Sequence, residues 1–271
     1  MPETLARAGS LELKFAVTKG EIRRAQRLRY RVFFEQGGAI PDAMSRARRR
    51  DICPFDRVCD HIIVVDHAAV NRFGRRKPKV VGAYRVLRQE RIGDASAFYS
   101  SAEFDVPALV ANHPGKRFLE LGRSCVLPEY RAKRVLELLW RGLLAYARHH
   151  RIDCMIGCAS LPGADPLRHV GALAFLRQHA RAQDEWSVRV REGVSGYTPP
   201  PDLVVSDPRR AIASLPPLLK GYLRLGARFG DGAFVDHAFG ATDVFVVMPV
   251  KDIDPRYIEH FSGGLLEPRA A

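Results

Sequence analysis

Apolar and polar residues alternate through 11–17 (LELKFAV), the period of a half-buried strand. Over 20–36 (GEIRRAQRLRYRVFFEQ) the period changes. At about 100° per residue, Ile22, Ala25, Leu28, Val32 and Phe33 share one face, and Arg23, Arg24, Arg27 and Arg31 lie opposite, which predicts a helix. β-branched runs at 61–66 (HIIVVD) and 79–88 (KVVGAYRVLR) predict central strands, joined by a basic, hairpin-like loop, NRFGRRKP. Further strands are predicted at 117–127 (RFLELGRSCVL, stopped by Pro128), 153–161 (DCMIGCASL), 186–190 (WSVRV) and 243–250 (DVFVVMPV). Helices are predicted at 131–150, at 166–180 with Pro166 near the first turn, and near 216–228. The Arg-rich SRARRRDICPFD up to Asp56 and the Pro-rich YTPPPD (197–202) read as loops. Because the early strands follow one another directly, this order predicts an α/β fold around a mixed sheet, not a doubly wound parallel one. The segment after the Pro-rich stretch is too small for its own core, so a single domain over 11–262 is expected, with 197–262 as its extension.

Composition adds a sign to this picture. With 46% hydrophobic residues the chain can bury a core, which excludes long disorder. Its 43 Lys+Arg against 30 Asp+Glu leave +13, so an acidic partner is expected: nucleic acid, an anionic membrane face or an acidic carrier protein. No recognition-helix or zinc-finger pattern is present, and aromatics are not interleaved with the basic runs, which argues against nucleic acid. The five cysteines (53, 59, 125, 154, 158) are odd in number and lack Cys-x-x-Cys spacing, so neither a disulfide framework nor a metal site is expected, and a reducing cytosol is. The N-terminal stretch has no apolar run suited to a signal peptide, and Asp153 and Asp243 break the longer apolar stretches, so no membrane span is expected.

Several charged residues sit where the pattern demands apolar ones. Arg29 falls in the middle of the apolar stripe of the first helix. Arg85 lies on a strand that looks buried on both faces. Each needs an anion, either a ligand or a neighbour, since an isolated buried charge is very costly. Asp51, Asp56 and Asp60 lie just before the next strand and offer a structural pairing. Glu120 stands in a strand with Leu119 and Leu121 pointing the other way. A lone carboxylate inside a sheet is a general-base candidate because desolvation raises its pKa, and an ion pair with Arg123 is the structural alternative. Period two puts Glu120 and Arg123 on opposite faces unless a bulge at Gly122 re-aims Arg123. The helix that follows opens with Arg131, Lys133 and Arg134, a basic N-terminus suited to phosphate.

VLPEYRAKRVLELL resembles the acyl-donor loop and helix of the GNAT-type N-acyltransferases, a family with a mixed, largely antiparallel sheet flanked by helices. The glycines of that family's turn are replaced by Lys133, Arg134, Val135 and Leu136, a departure that suits a donor carrying a single pantetheine phosphate rather than coenzyme A. Within the fold, Arg29 with Phe33, Phe55 with Asp56, Arg85, and Glu120 with Arg123 resemble the spaced motifs of the acyl-homoserine-lactone synthases, a competing reading of the same chemistry. One acidic position of that family falls near Cys53 instead. CDHIIVVD, VVGAYRVLRQE, HPGKRFLELGRSCVLPEYR and DHAFGATDVFVVMPV resemble the L-ornithine Nα-acyltransferase family more closely. That resemblance implies transfer of a 3-hydroxyacyl group from acyl carrier protein to the α-amine of L-ornithine, with the carrier's 4′-phosphopantetheine as part of the donor substrate and no further cofactor. Glu120 would be the base, with Arg123 beside it in the motif, and backbone N–H groups of Ser124, Cys125 and Val126 would meet the oxyanion. Arg29, Arg85 and Arg123 would hold the ornithine carboxylate or order the acidic loop, with Phe33 on the acceptor side. One of Asp51, Asp56 and Asp60 would receive the side-chain ammonium, and Arg131, Lys133 and Arg134 the donor phosphate. A cytoplasmic enzyme is expected, in peripheral contact with an anionic inner membrane through loops such as NRFGRRKPK.

Overall fold

The computed structural model describes residues 3–131 and 133–262, the side chains of Lys133 and Ser262 excepted. In chain order the strands are β1 (Thr4–Ala8), β2 (Leu11–Phe15), β3 (Asp60–Asp66), β4 (Lys79–Arg88), β5 (Phe118–Val126), β6 (Cys154–Pro162), β7 (Gly196–Tyr197), β8 (Arg228–Asp236) and β9 (Ala241–Pro249). The helices are α1 (Lys19–Tyr30), α2 (Ala43–Arg48), α3 (Val106–Ala111), α4 (Lys133–His149), α5 (Val170–His179), α6 (Pro208–Ser214), α7 (Pro217–Arg224) and α8 (Pro255–Ser262). They form two compact units. Of the described residues, the first takes 3–87, 121–131, 133–151 and 255–262; the second takes 88–120 and 152–254. The Pro-rich 197–202 lies inside the second unit and marks no boundary between them.

In the first unit the strand order is β1-β2-β3-β4-β5. The pairs β1/β2, β2/β3 and β3/β4 are antiparallel, and Leu13 faces Val64 in the register. Helix α1 starts on a reciprocal cap: the Glu21 N–H donates to Thr18 Oγ1 at 3.2 Å, and the Thr18 N–H donates to Glu21 Oε2 at 3.1 Å. The predicted helix does not run to Gln36 as one α-helix. It changes to a π-turn over Arg31–Glu35, a form found mostly as single turns at functional sites. Helix α4 buries Val135, Leu138, Leu139, Leu143 and Tyr146. It approaches the sheet closely because glycine stands on both sides. A Cβ on Gly82 of β4 would lie 2.6 Å from Val135 Cγ1, and one on Gly142 would lie 2.9 Å from Ile62 Cγ2.

In the second unit the order is β5-β6-β9-β8-β7, with only Phe118–Glu120 of β5 belonging to it. Strands β5 and β6 run parallel, and the remaining pairs are antiparallel. Three expectations change here. The helix predicted near 216–228 is α7, which stops at Arg224 and is followed by Gly226 at φ +88, and the chain then enters β8. Strand β8 was hidden by Gly230 and Gly232, where its register shifts between Phe229 and Ala233. WSVRV forms no strand; Arg189 and Val190 make only isolated bridges, to Asp231 and Phe104. All five cysteines are free thiols, and among the described residues no helix is long and apolar enough to cross a membrane.

Candidate active site

The residues singled out from the sequence fall into two groups, one in each unit. In the first unit, Arg29 is 1% exposed on α1. Its Nε lies 2.7 Å from Asp51 Oδ2, and its Nη2 donates to Asp56 Oδ2 at 2.7 Å and to the Asp51 carbonyl at 2.6 Å. Arg85 on β4 donates from Nη1 to Asp56 Oδ1 at 3.3 Å, and its guanidinium stands 5.7 Å from the Phe55 ring centroid. Arg123 Nε lies 3.3 Å from Asp51 Oδ2. Gln26 Nε2 adds a 2.8 Å bond to Asp56. Burial alone would push the Asp56 carboxyl up, but Arg29, Gln26 and Arg85 outweigh it and hold the group far below the usual carboxylate range. Both out-of-place arginines are thus neutralised by the acidic loop.

Asp51 and Asp56 are therefore engaged by arginines, and Asp60 accepts the Tyr146 hydroxyl at 2.5 Å. Phe33 is half-buried in the π-turn. The left-handed residue of β5 is Arg123 and not Gly122: its φ is +51, a conformation that costs a non-glycine residue about 1–2 kcal/mol. Ser124 is half-buried, whereas Cys125 and Val126 are buried. Burial pushes the Cys125 thiol up to about 12, which removes it as a nucleophile near neutral pH. Arg131 and Arg134 are exposed at the start of α4; the Lys133 side chain lies outside the described residues.

The second unit holds Glu120, 4% exposed and not the lone carboxylate expected. It accepts the Tyr99 N–H at 2.9 Å, the Ser100 N–H at 2.7 Å and the Ser100 hydroxyl at 2.7 Å. These donors come from the short 3₁₀ turn Tyr99–Ala102. A second buried acid of this unit, Glu103, is pushed upward. Burial first, then the Asp243 carboxylate, raise it to about 8 against the opposing hydrogen bond from the Cys158 thiol. Cys158 Sγ stands 3.1 Å from Glu103 Oε2 and 3.3 Å from Ser100 Oγ. One carboxylate oxygen each from Glu103, Asp236 and Asp243 lie within 4.8 Å of one another. Like charges that close cannot all ionise cheaply, so Glu103 keeps a proton at neutral pH. Sequence reading missed this group, because position 103 and positions 236 and 243 meet only through the fold.

A mixed, largely antiparallel sheet flanked by helices is a GNAT-like α/β fold. Residues 28–141 match the Acetyltransferase (GNAT) domain family. An L-ornithine N(alpha)-acyltransferase of Agrobacterium fabrum is 49% identical over 257 residues, covering 95% of this chain and 87% of that one. One from Rhizobium meliloti is 46% identical over 261 residues, covering 96% and 86%. The chain belongs to the L-ornithine N(alpha)-acyltransferase family. Among solved structures, FeeM, an N-acyl amino acid synthase from uncultured soil microbes, is similar at 12% identity and a TM-score of 0.48, covering 92% of this chain and 94% of that one. The acyl-homoserine-lactone synthase LasI is similar at 12% identity and a TM-score of 0.47, covering 96% and 98%.

Proposed function

We propose that this acyltransferase moves a 3-hydroxyacyl group from the phosphopantetheine thiol of acyl carrier protein to the α-amine of L-ornithine, giving lyso-ornithine lipid. The observation that carries this reading is the 49% identity, over nearly the whole chain, to a protein named for acylating the α-amine of ornithine. An α-amine with a pKa near or above about 7.7–8.0 is largely protonated at neutral pH, so a base must uncover its lone pair. Glu120 is that base in our reading, directly or through one water. Its bonds to Tyr99 and Ser100 fix where its oxygens point, which favours a defined proton path. The amine then attacks the thioester carbonyl, a C–N bond forms, and the oxyanion is met by N–H groups of the Ser124–Val126 segment. Collapse breaks the C–S bond; of the two protons the ammonium gives up, Glu120 passes one to the departing pantetheine thiolate, and the other leaves the new amide nitrogen for water.

Arg29, Arg85 and Arg123 serve this reading by ordering the acidic loop, since Asp51 and Asp56 take their charge; Phe33 lies on the acceptor side. The phosphate of the donor meets Arg131 and Arg134, and the glycine-poor turn favours a carrier protein over coenzyme A. The product is amphiphilic, and we place the reaction on the cytoplasmic face of an anionic membrane. The experiment is mass spectrometry of purified enzyme with mixed acyl-carrier proteins and a panel of amino acids. The expected product is Nα-(3-hydroxyacyl)ornithine. Acylation of a different amino acid in preference, or equal use of the coenzyme A thioester, counts against the assignment.

A further inference from the structure

Residues 67–79 (HAAVNRFGRRKPK) carry five cations and no acid. Their loop is folded tightly in the first unit. Val70 and Arg76 form an antiparallel bridge, and the Lys77 N–H donates to the Ala69 carbonyl at 2.8 Å. At the tip, Asn71 Oδ1 accepts the N–H groups of Phe73 at 2.9 Å and Arg75 at 3.1 Å, and Gly74 turns the chain at φ +73. The outcome is a firm hairpin that points its apolar residues outward: Phe73 is 70% exposed and Val70 61%. Arg72 lies over the Phe73 ring, 4.6 Å from its centroid. A chain able to bury most of its large apolar side chains has built a turn that holds one in water.

We infer that this hairpin is a membrane-docking element, with Phe73 entering the interface of an anionic bilayer while Arg72, Arg75, Arg76 and Lys77 meet its headgroups. Two properties favour a bilayer over an acidic protein or a nucleic acid. A convex tip with one aromatic residue has no groove or face to cover on a folded partner, whereas a fluid interface closes around it. Aromatic rings and the long stems of Arg and Lys also settle at the level of lipid headgroups, apolar part inward and charge outward. Basic residues beside an anionic leaflet add attraction that salt weakens. The inference rests on the membrane-side placement proposed above and names the surface that achieves it.

The test is co-sedimentation of the full-length protein with vesicles of phosphatidylcholine alone or mixed with phosphatidylglycerol. Wild type should bind the mixed vesicles and leave the neutral ones. Phe73→Ser should weaken that partition about tenfold, and the double change Arg72→Glu with Arg76→Glu should remove it, given the per-charge attraction expected at such surfaces. These side chains are exposed, so melting temperature and acyl transfer in vesicle-free solution should stay at wild-type values. Binding to mixed vesicles that both variants retain assigns docking to another surface and overturns the inference. So does tight binding of acyl carrier protein or a short single-stranded DNA that these variants lose. An enzyme that makes acyl-ornithine but never sediments with vesicles loses the docking inference and keeps the acyl-transfer assignment; one that sediments but makes no product does the reverse.

Discussion

Glu120 and Glu103 are both buried acids of the second unit, yet their neighbours differ in kind. Glu120 is surrounded by donors and Glu103 by carboxylates. If Glu120 takes the proton from the amine, Glu120→Gln keeps its shape and removes its basicity. General-base catalysis is worth about 10²–10⁴-fold, so kcat should fall by that order in a protein that still folds, and higher pH should partly restore it by deprotonating the amine. A folded Glu120→Gln enzyme with kcat near wild type would falsify the assignment. For Glu103 the readout is stability. Its carboxyl is raised from 4.5 to about 8, so between those values the folded chain holds a proton that the unfolded chain has released. Stability therefore falls as pH rises through that window and levels off above it. Glu103→Gln should flatten this slope and raise the melting temperature at pH above 8, where wild type confines the charges of Glu103, Asp236 and Asp243 together. Parallel melting curves of the two proteins from acid to alkaline pH would show that Glu103 is not the group responsible.

At the scale of elements, β5 and α4 carry the argument. Period two predicted that Glu120 and Arg123 face apart, and Gly122 was the natural place for an irregularity. Instead the left-handed residue is Arg123, where the pull of Asp51 at 3.3 Å opposes the cost of the conformation. Glycine matters more at position 82, where α4 rests on β4. Val135 is β-branched, and its χ1 is nearly fixed in a helix, so it cannot swing away from an added methyl. Gly82→Ala should cost about 1–3 kcal/mol, the range for overpacking, read as a lower denaturation midpoint with an unchanged m-value. A midpoint within error of wild type would mean that the helix shifts at no cost.

For the whole molecule the governing quantity is +13. If the donor is acyl carrier protein, an acidic partner as proposed above, this charge speeds encounter, and the attraction is screened as the Debye length shrinks from about 10 Å at 0.1 M salt to about 3 Å at 1 M. The kcat/KM for acyl carrier protein should drop steeply with added salt, and that for a short thioester of free pantetheine should drop much less. Charge reversal at Arg131 or Arg134 should raise KM for the carrier and flatten its salt dependence while kcat holds. Identical salt slopes for both donors would show that charge plays no part in their capture.

Strands β3, β4 and β9 and helix α4 were legible in one dimension because their apolar runs are long enough to show through a single charge. Arg29, Arg85 and Glu120 were legible for the complementary reason: a charge inside an apolar pattern stands out before anything is known of its neighbours. Strand β8 was not, since Gly230 and Gly232 interrupt its alternation, and the π-turn after α1 was not, since its residues continue the helical stripe. Which carboxylate neutralises which arginine was left open by spacing and decided by the way α1, β4 and β5 bring Arg29, Arg85 and Arg123 to one acidic loop. The meeting of Glu103 with Asp236 and Asp243 had no sequence signature at all. Burial and mutual repulsion act through space, and residues more than a hundred positions apart acquire both only when the sheet is formed.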